Sequence, residues 1–172
     1  MRVLLGIAFL ILFALDSKGQ DYEKDTESID AAVNALYECI SGPKGQVRDW
    51  ARFRNLFHPY ASISSLNPND NGMITYNLNS IREYIDNATP FFEVNDFYEY
   101  ELSRKTDEFY GLAQVFSTYE FKTSKDGPAI RRGINSIQLV RFEGRWWITI
   151  LTYNSENDFI KVPETYLQKK AE

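Results

Sequence analysis

Cysteine and histidine are nearly missing from this chain of 172 residues; Cys39 and His58 stand alone. A single thiol closes no internal disulfide. One thiol and one imidazole cannot furnish a tetrahedral zinc site either, so neither metal nor cofactor is expected. There is no Gly-x-Ser-x-Gly turn to expose a nucleophilic serine, and no glycine-rich loop to cradle phosphates. Basic residues are outnumbered 19 to 24 and scattered, which leaves a net charge of −5 and no basic face. Nucleic acid and anionic lipid are thereby excluded as partners. The longest apolar run, Val3 to Leu15, has 13 residues. That is too short to cross about 30 Å of hydrocarbon, so no membrane span is expected in the mature chain.

The same run has the form of an export signal. Met1-Arg2 gives a positive start, and Ser17-Lys18-Gly19 puts small residues where a signal peptidase cuts. The sequence therefore predicts a signal peptide over 1–19, a flexible polar leader over 20–27 and one domain over 28–172, secreted or periplasmic. Asn87-Ala88-Thr89 is formally a glycosylation sequon, with Pro90 directly behind it.

What is present is ample apolar and aromatic material, 44% and 15% of residues, enough for a packed core. Ile29, Val33, Leu36 and Ile40 recur at helical spacing, and Ser41-Gly42-Pro43 ends that helix. Cys39 lies on this stripe and reads as a small buried hydrophobe. Asp49 caps a second helix over Trp50 to Phe57. A strand over Ala61 to Leu66, a turn over Asn67 to Gly72 and a short return strand from Met73 to Tyr76 follow. A third helix, capped by Asn79 or Ser80, is expected to end near Pro90. The period then changes to two. Strands are predicted at Asp96–Arg104, Tyr110–Thr123, Arg131–Phe142 and Arg145–Tyr153, with turns at Thr106-Asp107, Ser124–Pro128 and Glu143-Gly144. Helices first and an antiparallel meander last make an α+β domain.

If Glu143-Gly144 are the two turn residues, Leu139 pairs with Ile148, Ile137 with Ile150 and Asn135 with Thr152. One face is then apolar in its middle and should pack on the helices. The other carries Val140, Trp147, Leu151 and Tyr153, too aromatic for a plain solvent face, and suggests a homodimer interface.

The element order and two local phrases, ALYECISGPKGQVRDWARFRNLFHPYASI and RGINSIQLVRFEGRWWITILTYNSE, resemble the nuclear transport factor 2-like, or SnoaL-like, superfamily. The resemblance covers nearly all of the mature chain. It implies a cystatin-like α+β cone, α-α-β-β-α-β-β-β-β, with three N-terminal helices on a strongly curved, mostly antiparallel sheet. Ketosteroid isomerase is a distant relative of this shape. Its helix-1 tyrosine falls on Tyr37, its base on Ser65 and its second acid on Ile137, so only the donor of that reaction is retained. The same match turns Gln114, Phe116, Thr118 and Glu120 inward on their strand, with Tyr119 and Phe121 outward. The resemblance then implies a pocket built from Tyr37, Ser65, Gln114, Phe116, Thr118, Asn135, Ile137, Ile150 and Thr152. Glu99 and Glu101, alternating with Tyr98, Tyr100 and Leu102, are assigned to solvent.

A non-catalytic, exported domain holding a small, largely apolar molecule is the favoured function, because acid-base chemistry needs a matched pair of groups in the pocket. The alternative is a metal-independent SnoaL-like lyase or isomerase using Tyr37 with Glu120 or His58, where His58 either reaches the pocket mouth or caps the second helix. A protein-interaction module acting through the outer sheet face ranks third.

Overall fold

A computed structural model describes residues 22–68 and 73–168. The predicted signal peptide and the first two residues of the expected leader lie outside the described residues, as does most of the Asn67–Gly72 turn. Three helices, α1 (Ile29–Ile40), α2 (Trp50–Leu56) and α3 (Ile81–Val94), pack on six strands. These are β1 (Phe57–Pro68), β2 (Ile74–Ser80), β3 (Tyr98–Phe109), β4 (Leu112–Lys122), β5 (Arg131–Phe142) and β6 (Arg145–Ser155). The sheet order is β2-β1-β6-β5-β4-β3, with β1 and β6 parallel and every other pair antiparallel. This is the α+β architecture expected from the sequence.

Local chemistry explains the helix ends. Ser28 Oγ accepts from Ala31 N at the start of α1, and Asp49 from Arg52 N at the start of α2. Ser80 and Glu83 cap α3 reciprocally. The helix runs four residues past Pro90 instead of stopping there, because Phe92 is buried in the core and stacks on Trp50. The leader is also more ordered than expected. Glu23–Thr26 forms a 3-10 turn with Thr26 buried, Tyr22 donates to the Asp49 carboxylate, and Asp25 binds Arg52 in a two-pronged ion pair.

Arg48 ties off the end of α1. It is 4% exposed and donates to the carbonyl of Ile40, which the helix end leaves without an intrahelical partner, and to those of Gly42, Pro43 and Gln46 in the loop that follows. Its guanidinium also lies 4.7 Å over the Phe92 ring.

Two hairpin turns set the sheet's register. Glu143-Gly144 is the two-residue turn expected, with φ of 53° and 82°. The β3–β4 turn is not at Thr106-Asp107 but at Tyr110-Gly111, with φ of 45° and 83°, the same left-handed pair that matches strand twist. Past Leu139↔Ile148 the ladder slips by one residue at Thr149, so that Gln138 pairs with Ile150, Ile137 with Leu151 and Asn135 with Tyr153. A bulge of this kind inverts the facing of everything beyond it. Leu151 and Tyr153 therefore turn inward, not to the outer face, and Ile150 and Thr152 turn outward, not to the pocket.

Directly paired residues share a face, and Val115 lies opposite Ile137, Ser117 opposite Asn135 and Tyr119 opposite Gly133. The inward set of β4 is thus Val115, Ser117, Tyr119 and Phe121. Gln114, Phe116, Thr118 and Glu120 belong to the outer face, the reverse of the expectation. A 3-10 turn at Glu164–Tyr166 covers part of that face: Tyr166 packs on Phe116, and its carbonyl accepts from the hydroxyls of Ser103 and Thr118.

The core between helices and sheet is built from Val33, Leu36, Phe53, Leu56, Val115, Ile137, Leu139 and Ile148, each at most 3% exposed. Cys39 is buried with them, and burial pushes its thiol up to about 12, which makes it a poor nucleophile.

Candidate functional site

A cavity of about 540 Å3 lies between α1, α3 and the concave face of the sheet. Its walls are mainly apolar: Leu36 and Ile40 from α1, Phe53 from α2, Ile63 from β1, Phe92 from α3, and Phe97, Phe121 and Leu151 from the sheet side. Asn87, Phe91, Ile130 and Arg131 are exposed at its rim. Inside, Glu99, Asn135, Tyr84, Tyr119, Tyr153 and Ser155 supply polar atoms. Volume and lining are those of a small-molecule site.

Glu99 is the unexpected member. It is 8% exposed, and desolvation raises its carboxyl to about 7, only partly offset by the hydrogen bond from Asn135. Asn135 Nδ2 donates to Glu99 Oε1 at 3.1 Å and to Tyr37 Oη at 3.0 Å. Tyr37 Oη lies 2.6 Å from Ser117 Oγ, which donates to Glu101 Oε1 at 2.5 Å. Glu101 is paired with Arg104, which also reaches Asp30 and Asn34 on α1. Those contacts fix the direction of the chain. The ion-paired carboxylate only accepts, so Ser117 donates to it, Tyr37 donates to Ser117, and Asn135 donates to Tyr37. The second amide hydrogen of Asn135 goes to Glu99. Among the described residues, Glu99 Oε2 has no protein partner and no cation pairs with this carboxylate.

Tyrosines complete the polar end. Tyr119 Oη is 2.7 Å from Ser155 Oγ, and its ring passes over β5 at Gly133. A Cβ built there would lie 2.4 Å from both Tyr119 Oη and the Asn154 carbonyl, so only glycine leaves that path open. Burial, then the charge of Glu99, raises the hydroxyl pKa of Tyr37 and Tyr119 well above the usual range. Tyr84 is raised as well, by burial first and then by Tyr153 and Glu99.

Of the residues expected in the pocket, Asn135 lines the cavity. Tyr37 is buried behind it, touching the cavity's polar groups through Asn135. Ser65 and Ile137 are buried but do not line the cavity. Gln114, Phe116, Thr118, Ile150 and Thr152 lie on the other face: Gln114 donates to Ser136, and Thr152 bonds Ser64. Glu120 is there too, paired with Lys122 at 2.8 Å. His58 follows α2 on β1, accepting from Tyr60 N and lying edge-on to Trp147, away from the cavity. Of the expected dimer residues, Val140 and Trp147 face outward, while Leu151 and Tyr153 line the cavity. Among the described residues, no group of three or more His, Cys, Asp or Glu side chains is placed to hold a metal, and no helix is long and apolar enough to cross a membrane.

No family model and no curated protein matches the chain. Solved structures do. A protein of unknown function with a cystatin-like fold from Nostoc punctiforme aligns over 76% of this chain and 90% of its own, at 10% identity and a TM-score of 0.58. An uncharacterised protein with a cystatin-like fold from Caulobacter vibrioides aligns over 77% and 90%, at 17% identity and a TM-score of 0.55. An NTF-2 like protein of unknown function from Silicibacter pomeroyi aligns over 74% and 92%, at 15% identity and a TM-score of 0.52. The chain therefore has the cystatin-like, nuclear transport factor 2-like fold.

Proposed function

We propose that this domain binds a small, largely apolar molecule in the cone, oriented by Glu99 and Asn135 at the closed end. One observation carries the reading: a carboxyl that is nine-tenths buried leaves an oxygen unpartnered in a cavity whose walls are mainly apolar. That oxygen opens onto the cavity and is not sealed in protein, since among the described residues the side-chain atom buried without a partner is Arg145 Nε, so a bound molecule with a matching donor can reach it. Titration with the neutral fluorophore N-phenyl-1-naphthylamine tests this. Emission should saturate at one probe per chain, and Ala88→Trp, which fills the cavity from α3, should abolish the rise while the melting curve stays cooperative. An equal rise in both proteins would reject the cavity as the site.

The carboxyl's proton affinity near neutral pH supports a second reading, a lyase or isomerase of this fold with Glu99 as its base. Binding is preferred because the hydroxyls beside Glu99 hold their protons more tightly than free tyrosine and are poor exchange partners.

Export belongs to the same reading. The apolar run and Ser17-Lys18-Gly19 support secretion or periplasmic delivery with cleavage after Gly19. A mass measurement on protein recovered outside the cytoplasm should give a chain starting at Gln20; an intact, cytoplasmic chain would reject it. We also propose a homodimer formed through the outer face of β5 and β6, where Val140, Trp147 and the half-exposed Ile150 give an apolar surface for a second copy.

A further inference from the structure

The binding reading leaves the ligand's chemistry open, and the closed end of the cavity narrows it. Glu99 is an acceptor by its surroundings. Its one protein partner, Asn135 Nδ2, donates to it, and the hydrogen-bond chain behind Asn135 is held in that direction by Glu101 and Arg104. The cations nearby are committed or remote. Arg104 is spent on Glu101 and Asp30. Arg131 is exposed at the rim. An anionic ligand would meet the carboxylate with no cation between them.

The walls around this acceptor are aromatic on several sides. Tyr84 stacks on Phe53, Phe97 stacks on Phe121, and Tyr119 and Tyr153 come from neighbouring strands. Ring faces carry negative charge and attract ammonium groups, most strongly where water is excluded. A carboxylate with a free oxygen, in a cavity lined by aromatic side chains and lacking a counter-ion, is best matched by a cationic group.

We infer that the cavity takes a small organic cation, an alkylammonium with an apolar body, whose charged nitrogen sits against Glu99 Oε2 among Tyr84, Tyr119 and Tyr153 while the body fills the apolar space towards Leu36 and Ile63. The inference rests on the small-molecule reading above and adds the ligand's charge.

Binding should follow the ionisation of Glu99. The groups facing it are Tyr37 on α1, Tyr84 on α3, Glu101 on its own strand, Tyr119 on β4, Asn135 and Arg131 on β5, and Tyr153 on β6. Glu101 is held by Arg104, and burial moves Tyr37, Tyr84 and Tyr119 upward, away from neutral pH. Glu99 is the group shifted into that range.

Three probes of one size decide it by calorimetry: 2-naphthylethylamine, 2-naphthylethanol and 2-naphthylacetate. At pH 8 the amine should bind about tenfold or more tighter than the alcohol, as a desolvated cation–π contact and a direct charge pair together imply, with the acetate weakest. The amine's advantage should shrink towards pH 5 and vanish in Glu99→Gln, whose folding is checked by retained alcohol binding. Equal binding of amine and alcohol at pH 8 overturns the inference and leaves the cavity reading standing. An advantage that survives in Glu99→Gln overturns it as well. Failure of all three probes on folded wild-type protein overturns both.

Discussion

Glu99 and Glu101 stand two residues apart on the same face of β3, joined by a single hydrogen-bond chain, yet only Glu101 has a cation. Arg104 neutralises Glu101. Glu99 has an amide hydrogen and the cavity. Identical side chains are thereby given opposite electrostatic tasks, one anchoring α1 to the sheet and the other facing the cavity.

The first prediction is a pH dependence of stability. Glu99 is raised from 4.5 to about 7 in the folded state, so between those values the folded protein keeps a proton that the unfolded chain has released. Stability from this group therefore falls as pH rises through that window, and the full penalty is present above pH 7. A shift of that size corresponds to roughly 3 kcal/mol at most. Glu99→Gln should match wild type near pH 4 and exceed it progressively towards pH 8 in urea unfolding. A difference independent of pH would show that the carboxyl is not desolvated.

Tyr37→Phe keeps the ring but removes the link between Asn135 and Ser117. Both partners are buried, so the change should cost about 1–3 kcal/mol of stability. Because Tyr37 lies behind the cavity wall, affinity for a bound probe should change less than stability does. Denaturant midpoints and probe titrations on the same samples separate the two effects.

Gly133→Ala places a methyl group against Tyr119 and the Asn154 carbonyl, contacts that real Cβ atoms do not tolerate. The ring must swing towards the cavity or the strand must move, at about 1–3 kcal/mol for an overpacked site. A lower melting temperature with weakened probe binding is expected. A melting temperature equal to that of wild type would mean that Tyr119 does not lie over β5.

Trp147→Glu tests the outer face. Arg145 lies 3.8 Å over the Trp147 ring, so the substitution replaces a stacked surface with a charge. Sedimentation should give a dimer for wild type and a monomer for the variant, since loss of the indole removes the largest apolar group of this face. A wild type that is monomeric at tens of micromolar rejects the interface.

Several parts of this fold are legible in the sequence. The stripe from Ile29 to Ile40, the caps at Asp49 and Ser80, and the Glu143-Gly144 turn each rest on local chemistry that tertiary contacts reinforce. Other features depend on partners far away in the chain. Tyr110-Gly111 loses to Thr106-Asp107 as a turn signal because a tyrosine at positive φ is uncommon, and the strand pairing imposes it here. Glu99 reads as solvent-facing because a charged residue between aromatics normally is. It is the tyrosines beside it that face out: Lys122 Nζ lies 5.4 Å from the Tyr100 ring on the far side of β3. Pairing Val115 with the inward Ile137 fixes the facing of β4, but the pairing itself is invisible until the β4–β5 connection is known. Thr149 carries no mark that distinguishes a bulged residue from an ordinary one.

That slip at Thr149 makes one strand into two independently addressable halves. Up to Ile148 the facing of β6 is dictated by the turn, and after it by the extra residue. Point substitutions can only exchange one side chain for another in a given half. Removing Thr149 would take out the extra residue and leave Gln138 opposite Ile150, so Leu151, Tyr153 and Ser155 would still face the interior on a straighter strand. The bulge is thus a point where the chain can lose a residue without exchanging the side chains that line the cavity. A strand one residue shorter here would keep the inward residues on both sides, Ile148 before it and Leu151 to Ser155 after it, on their present face.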